Sequence, residues 1–536
     1  MKRRTVLIGL DGATWTVLDP LMRDGVMPFL HSWTAGGVAA PLRSIVPALT
    51  PPAWTSMLTG RNPGQHGIFN FFGREAPDSH YIRLLTSSDV GSEPIWTLAN
   101  RHGLQATVLN FPQTFPAPAI DGHIVAGGWM PWRQLRLGCS PSGLYDRLKA
   151  QPWFKARELA MDMTHEEKAL EGCRQDEYAP WIEMHIKREQ QWFELLRFLV
   201  TEEPTDFLAI LFDGVDKIQH LCWRFLDPSF DVATAAPWEV EVREQCLVYF
   251  RQLDRLLEQI ITLSGPDSTV IMTSDHGFGP QVRTFFVNEW LARNGFLRWS
   301  DGVGPRPGEA GVLGLGQVAR HTYLLDWDNT RAYASMPGGN GIHIVRADAE
   351  HPNGVTDEEY GPLCTRLIEE LLQVRDPDSG EPVVHAAWRR EEIFNGPFVG
   401  LAPDLTLELS DGGLLSILAS TEIVIRRDPP IGTHRPDGIF IAGGPQLRHG
   451  VRLPTLSLLD VAPLMLYALD LPIPTDLDGR LPHAALDPRA LIRRPARYET
   501  APREHVRSIA AANGSALSGD EEHEVLQRLA ALGYLE

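Results

Sequence analysis

The amino-acid sequence predicts an α/β fold in which helices cover both faces of a largely parallel β-sheet. Apolar runs such as TVLIGL at 5–10 and FLAILF at 207–212 lack the polar alternation of half-exposed strands, and such runs are typical of strands buried on both faces. Segments with helical spacing separate these runs, which favours parallel pairing. With 536 residues, the chain exceeds the size of a single core, so we expect several domains or a core with large insertions.

The core elements follow in chain order from this pattern. After the strand at 5–10, the sequence predicts a helix over 93–103, a strand over 106–111, a helix over 181–200, a strand over 207–212, a helix over 238–263, a strand over 268–274, a helix over 361–374, a strand over 437–444 and a helix over 457–471. The segment 139–180 is polar and helix-prone without a strong strand. We interpret it as a helical insertion near the rim of the sheet.

Changes in hydrophobic pattern and composition along the sequence divide the chain into four predicted parts. Residues 1–280 and 431–485 carry the core pattern and are expected to form one α/β core. Between them, Gly-rich turns and short strands predict an inserted second lobe over 281–430. Residues 486–536 form a polar tail whose end, EEHEVLQRLAAL, has helical spacing.

Composition and charge narrow the class of protein. The chain has 49 Lys and Arg against 68 Asp and Glu, a formal net charge of −19, and 43% hydrophobic residues. This balance indicates a folded protein and argues against binding to a nucleic-acid duplex or to an anionic membrane. No apolar stretch approaches the ~18 residues of a membrane span, and the apolar run after MKRR is too short for a signal peptide. We therefore expect a cytoplasmic protein without a membrane segment.

The five cysteines show neither a disulfide framework nor a metal-binding pattern. They are scattered along the chain without CxxC or other ligand-like spacing, at positions 139, 173, 222, 246 and 364. Ordinary reduced or buried thiols are therefore the expected state.

Acidic and imidazole side chains follow three of the predicted strands, and ligands of open α/β sheets bind where strands end. Asp11 follows the first strand in LIGLDG. Asp216 and His220 are four residues apart in FDGVDKIQH, which places both on one face of a helix that begins there. Asp275 and His276 follow the strand of VIMTSDHGFG, where Gly277 permits the turn that brings both side chains to one ion.

Each of these residues alone also has an ordinary structural interpretation. A strand-end Asp caps helices or forms turns, and a loop histidine such as His434 in GTHRPDGIF is usually hydrogen-bonded or solvated. Asp213 competes with Asp216 as a ligand, but its spacing to His220 is less suitable, so we interpret it as a turn or cap residue. Together the motifs supply three carboxylates and three imidazoles without thiolate. That set suits two catalytic zinc ions, or manganese as the harder alternative, and two metals commonly serve phosphoryl transfer.

Thr50, in PALTPPAWTSML, is the candidate nucleophile. Pro51 and Pro52 stiffen the turn and would hold its hydroxyl at the start of the next helix. A helix N-terminus also offers amide donors to an anionic phosphoryl group. By residue type alone, however, a simple N-cap is the better interpretation of this threonine.

The ordered set of motifs is more specific than any one of them. LIGLDG, ALTPPAWTSMLTGRNPGQHGI, DGVDKIQH, TSDHGFG and GTHRPDGIFI resemble, in this order, the type I phosphodiesterase and nucleotide pyrophosphatase family of the alkaline phosphatase superfamily. The resemblance covers about 5–485 and implies an alkaline-phosphatase-like core with an inserted lobe. This chain lacks the CxPxR-like motif of the sulfatase branch, and it has threonine where the phosphoglycerate mutase branch uses serine. The resemblance to these two branches is therefore weaker.

The resemblance also implies roles for individual residues. One metal would bind beside Thr50 and contact it, with Asp11, Asp275 and His276 as the implied ligands. The second metal would bind nearby, with Asp216, His220 and His434 as the implied ligands. Thr50 would attack and form a transient phospho-threonine. Asn70, in HGIFN, would bind a non-bridging phosphate oxygen, although the spacing here is one residue shorter than in the family. We interpret His66 of the same motif as structural.

The resulting prediction is a two-metal phosphodiesterase or nucleotide pyrophosphatase acting on a small phosphorylated metabolite. A phosphomonoesterase or phosphotransferase is the first alternative, but a monoester dianion would call for an added cation. Arg61 and Lys217 lie near the motifs, and we interpret both as solvated charges. A non-catalytic binding protein on a decayed core is the second alternative. The sequence leaves the substrate and the oligomeric state open.

Overall fold

A computed structural model of the protein describes residues 5–74, 82–127, 132–159, 172–302, 321–336, 338–349, 351–413 and 415–500. Its centre is a ten-stranded, mostly parallel sheet, which confirms the predicted fold class. Nine strands follow one another across this sheet in the order Val451–Arg452, Val38–Arg43, Asp437–Gly443, Thr269–Thr273, Thr5–Leu10, Phe207–Phe212, Ala106–Leu109, Gly122–Val125 and Cys139–Ser140. The tenth, Leu456–Ser457, also pairs with Val38–Arg43.

Strand direction brings the predicted motifs to one edge of this sheet. Thr5–Leu10 lies in the middle and pairs in parallel with Phe207–Phe212 and with Thr269–Thr273. The carboxyl ends of these three neighbours therefore meet. Asp437–Gly443 runs antiparallel to Thr269–Thr273, so its first residues lie at that same edge. Residues that precede Asp437 in the chain consequently reach the ends of the parallel strands.

Alternate side chains of the central strands enter two different apolar cores, one on each face of the sheet. Leu7 lies in one core while Ile8 lies in the other, because successive strand residues point to opposite faces. This double burial explains the continuous apolar runs in the sequence. One face is covered by the helices Trp15–Arg23, Pro28–Gly36, Tyr178–Glu202, Gly214–Leu226 and Pro237–Ser264, and the other by Thr50–Thr59, Ile95–Arg101 and Val461–Ala468.

A separate four-stranded sheet lies within 281–430. Its strands are, in spatial order, Ala332–Tyr333, Gly341–Ile344, Leu405–Leu409 and Val384–Arg389, and helix Asp357–Leu371 packs with them in a third apolar core. Two long strands, Gly277–Phe286 and Val424–Arg435, pair antiparallel and lead from the main sheet into this region. The predicted boundaries at 280/281 and 430/431 therefore fall inside strands. The division into a core and an inserted lobe stays a prediction.

Shorter elements complete the described part of the chain. The predicted insertion contributes the edge strand Cys139–Ser140 to the main sheet. The remaining helices are Pro63–His66, Leu144–Lys149, Ala156–Leu159, Val287–Arg293, Arg390–Ile393 and Pro488–Arg493, and the remaining strands are Phe72–Arg74, Ile82–Leu84, Leu415–Ser416, Ile473–Pro474 and Tyr498–Glu499. The helix predicted at the end of the tail lies outside the described residues. Among the helices that are described, none has both the length and the apolar character needed to span a membrane.

Candidate active site

Six predicted metal ligands converge at the carboxyl edge of the main sheet. Each comes from a strand end or the first turns of the following helix, and each is at most 6% exposed; they are Asp11, Asp216, His220, Asp275, His276 and His434. Asp11 and Asp275 follow neighbouring strands, while Asp216 and His220 lie on helix Gly214–Leu226 after the strand on the other side. His434 is the penultimate residue of strand Val424–Arg435, which brings it to the same edge.

Asp11, Asp275 and His276 form one group, and Thr50 belongs to it. The Nε2 atom of His276 lies 3.3 Å from Asp275 Oδ2, 3.7 Å from Asp11 Oδ1 and 3.2 Å from Thr50 Oγ1. Backbone close to the ligands orients this group, because the Gly12 amide donates to Asp275 Oδ1 over 3.1 Å. Gly12 has a φ of +65°, a left-handed conformation that glycine adopts without strain.

Asp216, His220 and His434 form the second group. The Nε2 atoms of both histidines lie 3.4 Å from Asp216 Oδ1 and 3.1 Å from each other. The two groups adjoin, since the rings of His276 and His434 stack with centroids 3.6 Å apart. Potential ligand atoms of Asp216, His276 and His434 also lie within 4.8 Å of one another. The geometry therefore describes two contiguous clusters of oxygen and nitrogen donors.

Backbone carbonyls orient all three imidazoles. The Nδ1 atoms of His220, His276 and His434 lie 3.0, 3.1 and 2.9 Å from the carbonyl oxygens of Gly432, Gly277 and Ala48, respectively. A carbonyl only accepts, so Nδ1 carries the proton and donates in each ring. The Nε2 lone pairs consequently point at the carboxylates and at each other. Histidines held in this way are typical of metal sites.

The carboxylates lack the donors that such burial requires. Asp11 Oδ1, Asp216 Oδ1 and Asp275 Oδ2 are buried without a hydrogen-bond donor. Buried polar atoms are normally satisfied, and the two facing Nε2 lone pairs of His220 and His434 offer no proton. Divalent cations would satisfy all of these atoms at once. The donor set thus fits metal ions of the zinc or manganese kind.

The pKa values of the acidic groups lead to the same conclusion. Burial raises the pKa of Asp275 to about 8, and burial together with the charges of Asp275 and Asp216 raises the pKa of Asp11 well above its ordinary value. Burial by itself would raise the pKa of Asp216. His220 and Lys217 together have a larger opposite effect, so the pKa of Asp216 lies well below the ordinary value. Without cations, the three carboxyl groups therefore cannot all ionise together at neutral pH.

Burial has the opposite effect on the imidazoles. It lowers the pKa of His220, and it lowers the pKa of His276 well below the ordinary value, with a further contribution from His434. Both rings are therefore neutral near pH 7, which is the form that binds metals.

The comparisons with known proteins agree with this geometry. The family model for type I phosphodiesterases and nucleotide pyrophosphatases matches residues 5–434. The chain belongs to this family. All six predicted ligands and Thr50 fall inside the matched residues. Membership makes the protein a metal-dependent phosphoester hydrolase.

Solved structures share the fold at low sequence identity. Phosphonoacetate hydrolase from Sinorhizobium meliloti 1021, solved with phosphonoformate, is 15% identical with a TM-score of 0.50, and the match covers 87% of this chain and 95% of that one. Human ectonucleotide pyrophosphatase/phosphodiesterase 5 is 12% identical with a TM-score of 0.50, over 90% of this chain and 100% of that one. The comparison with curated proteins gives no match. The solved structures support the fold of this family member.

Thr50 does not cap its helix, so the N-cap interpretation is wrong. The helix begins at Thr50 itself, its N-cap residue is Leu49, and the N-terminus has no side-chain cap. The Thr50 hydroxyl instead contacts His276. Pro51 and Pro52 have no amide proton and the Ala53 amide donates to the Leu49 carbonyl over 3.0 Å, which leaves the amide of Thr50 as the donor at this end.

Asn70 and His66 lie in the turn after the same helix. The Oδ1 atom of Asn70 accepts from the Phe71 amide over 2.6 Å, so its Nδ2 group remains as the donor, and Nδ2 adjoins Gly339. His66 Nδ1 accepts from the Ile68 amide, and its Nε2 lies 2.8 Å from Ser56 Oγ. Burial and nearby positive charge lower the pKa of His66 to about 3. These contacts agree with a structural interpretation of His66.

Asp213 and Arg61 differ from the expectations. Asp213 occupies the N-cap position of helix Gly214–Leu226 but makes no side-chain cap. Its carboxylate instead accepts from Arg188 at 3.0 Å and from Asn110 at 3.2 Å.

Arg61 is not a solvated charge, because it is 8% exposed and pairs with Asp476 at 2.8 Å. Buried charges of this kind require specific partners, and those partners are distant in sequence.

Lys217 adjoins the second ligand group and is a further candidate for a functional role. Its Nζ atom lies 3.5 Å from Asp216 Oδ2, and its side chain is only 18% exposed. The interpretation as a solvated charge is therefore wrong here too. A sequence signal was available, because Lys217 and His220 are three residues apart and residues at this spacing share a helix face.

Proposed function

We propose that the protein is a two-metal phosphodiesterase or nucleotide pyrophosphatase that hydrolyses a small phosphorylated metabolite through a phospho-threonine intermediate. One observation supports this more than any other: Thr50 Oγ1 lies against the donor cluster at 3.2 Å from His276 Nε2 and takes no part in capping its helix. Thr50 is also partly exposed, unlike the buried ligands around it. A hydroxyl at the open side of two buried clusters is suited to attack an incoming phosphoryl group.

The proposed metal sites follow the two side-chain groups. Asp11, Asp275 and His276 would hold the ion beside Thr50. The second ion would be held by Asp216, His220 and His434. Such ions polarise phosphoryl oxygens and offset the charge of the attacking and leaving oxygens. Zinc is the first choice for this donor set and manganese the second.

The protein residues then account for the steps of the reaction. Thr50 Oγ1 gives its proton to solvent water and bonds to phosphorus, while the bond from phosphorus to the leaving oxygen breaks and that oxygen keeps the electron pair. A water molecule entering from the vacated side then bonds to phosphorus and loses a proton to solvent. The bond from phosphorus to Thr50 breaks in the same step, and Thr50 Oγ1 keeps the electron pair and regains a proton. The Thr50 amide and the Asn70 Nδ2 group are the proposed donors to non-bridging oxygens. A diester carries one negative charge, which these donors and the ions balance.

A cleft adjoins the clusters at His434. The loop 45–48, which precedes Thr50, and residues 407–409 also line it. We therefore propose that residues of 281–430 contribute to the selection of the small phosphorylated substrate. The predicted cytoplasmic location remains a prediction.

Trapping the intermediate tests the proposed function. Zinc-loaded protein is mixed with aryl diesters, nucleotides and aryl monoesters, quenched in acid during turnover and analysed by peptide mass spectrometry. We expect diesters or pyrophosphate bonds to be cleaved faster than monoesters, and we expect Thr50 to carry the transferred phosphoryl group with its remaining ester substituent. Thr59 ends the same helix, and its hydroxyl donates to the Thr55 carbonyl, so Thr59→Ala is the matched control. A clear preference for monoesters would favour the phosphomonoesterase alternative.

A further inference from the structure

Lys217 brings a positive charge to the rim of the second ligand group. Its Nζ atom lies 3.5 Å from Asp216 Oδ2, and its charge also acts on the carboxyl of Asp11. The Lys217 side chain is 18% exposed, against 5% for that of Asp216. The ammonium group therefore lies between the buried clusters and solvent, where a bound substrate can contact it.

This rim is the leaving-group side of the proposed reaction. Thr50 approaches the clusters at His276, whereas Lys217 adjoins Asp216, which belongs to the other group. In-line displacement places the attacking and leaving oxygens on opposite sides of phosphorus. Because Lys217 contacts Asp216 of the second group, we place it on the side of the leaving group.

Other cations of the described residues do not serve this position. Among the ion pairs of the described residues, one joins a lysine or arginine to a predicted ligand carboxylate, and it is the pair of Lys217 with Asp216. Arg61 pairs with Asp476, and Arg188 pairs with Asp213. The protein as a whole carries a formal net charge of −19. A leaving group with its own negative charge adds to this charge, and Lys217 would supplement the two metal ions in offsetting it.

We propose that Lys217 is a specificity-determining residue that selects substrates whose leaving group is anionic next to the scissile bond. The terminal phosphates of a nucleoside triphosphate carry negative charge before the scissile bond breaks, whereas a p-nitrophenyl group becomes an anion only as that bond breaks. The inference rests on the proposed function, because it assigns Thr50 to the opposite side of the reacting phosphorus. It narrows the substrate class to compounds with a pyrophosphate bond or a comparable anionic leaving group.

A pair of substrates with the same transferred group isolates this effect. Thymidine 5′-monophosphate p-nitrophenyl ester and thymidine 5′-triphosphate both transfer the thymidylyl group and differ in the leaving group. The ratio of their kcat/KM values is measured for the zinc-loaded wild type, Lys217→Met and Lys217→Arg. Lys187→Met is the control, because Lys187 is an exposed lysine that pairs with Glu183 within helix Tyr178–Glu202, away from helix Gly214–Leu226 that carries Lys217.

We expect Lys217→Met to lower the ratio of triphosphate to aryl-ester kcat/KM by about 10- to 100-fold, the effect of losing a charged hydrogen bond. Lys217→Arg should restore most of the ratio, and Lys187→Met should leave it unchanged. Zinc content, measured on the same preparations, should stay at the wild-type value. The pattern would separate selection of the leaving group from a merely structural contribution.

Three outcomes would overturn the inference. An equal loss on both substrates with a fall in zinc content would mean that Lys217 only orients Asp216. A loss confined to p-nitrophenyl phosphate, assayed in parallel, would mean that the cation serves a monoester dianion. A wild type that cleaves the aryl ester but not the triphosphate would exclude an anionic leaving group. Failure of the proposed function itself is distinguishable, since the wild type would then cleave neither thymidylyl substrate.

Discussion

Thr50 Oγ1 lies 3.2 Å from His276 Nε2, although the two residues are 226 positions apart in the chain. The contact joins the first residue of helix Thr50–Thr59 to the turn between strands Thr269–Thr273 and Gly277–Phe286. It requires the helix to point its N-terminus at the carboxyl edge of the sheet. The hydroxyl is thereby directed at the ligand cluster, and the first prediction follows from this orientation.

Thr50→Ala should abolish turnover while both metals stay bound. We expect kcat to fall by about 10³-fold or more, because the attacking oxygen is lost. Thr50→Ser should keep part of the activity, since the hydroxyl survives without the methyl group that restricts its rotamer. Rate, zinc content and melting temperature are measured on the same preparations. Near-normal turnover of a folded, zinc-loaded Thr50→Ala protein would refute covalent catalysis by this residue.

Removing one ligand carboxylate should reduce metal content and rate together. We expect Asp275→Asn to lower kcat/KM by about 100-fold or more and to lower the zinc-to-protein ratio, because the change removes a buried anionic donor. Asp254→Asn is the control, since Asp254 accepts amides of another helix, Phe29 and Leu30. Chelation of the wild type should abolish activity, and zinc or manganese should restore it. Full activity in a metal-free preparation would contradict the two-metal site.

Metal should stabilise the protein more strongly as the pH rises from 6 to 8. Burial raises the pKa of Asp275 to about 8 in the metal-free protein, so this carboxyl group binds a proton in the folded state but not in the unfolded state between about pH 4 and 8. The contribution of Asp275 to the stability of the metal-free protein therefore decreases across this range, whereas a bound cation favours the ionised carboxylate. Melting temperatures with and without zinc measure the difference.

The same experiment on Asp275→Asn supplies the control for this pH dependence. The amide does not titrate, so the increase in zinc stabilisation between pH 6 and 8 should become smaller. Free zinc at 100 times its Kd would stabilise the folded wild type by about 2.7 kcal/mol. An equal gain in melting temperature at both pH values for the wild type would contradict the assignment.

Gly339→Ala should weaken catalysis through Asn70. A Cβ atom at Gly339 would lie 2.5 Å from Asn70 Nδ2, so the amide must shift away from its present position. We expect kcat/KM for diesters to fall by about tenfold, which is less than the roughly 10²- to 10³-fold effect of removing such a donor outright, with zinc content unchanged. Gly361→Ala, where a Cβ has nothing within 4 Å, is the matched control. Unchanged kinetics of Gly339→Ala would argue against a substrate contact by Asn70.

Predictions that depended on local pattern agree well with the structure. The strands at 5–10 and 207–212 have the predicted bounds, and the long helix predicted over 238–263 spans Pro237–Ser264. These elements are long or buried on both faces, so their hydrophobic patterns are unambiguous. The short strand Cys139–Ser140 was missed, because two residues that pair with a sheet edge carry no pattern of their own.

Predictions that depended on the partner of a charged side chain were less successful. The interpretation of Arg61 and Lys217 as solvated charges is wrong, because each side chain is largely buried and lies against an acidic residue. The partner of Arg61 is Asp476, more than 400 positions away. Such a contact depends on how distant elements pack, and local sequence does not contain it. Lys217 adjoins its partner in sequence, but its burial still depends on neighbouring elements.

By itself the sequence determined the fold class, the family and the order of the metal-binding motifs, because double burial of parallel strands and strand-end chemistry are local properties of the chain. Only the tertiary structure decided the orientation of the Thr50 hydroxyl, the shared tautomer of the three imidazoles and the place of Lys217. The imidazole carbonyl partners include Gly432 and Ala48, which lie 212 and 386 positions from the histidines that they orient. Side-chain direction and burial arise when remote elements meet at the sheet edge, so only the packed chain determines them.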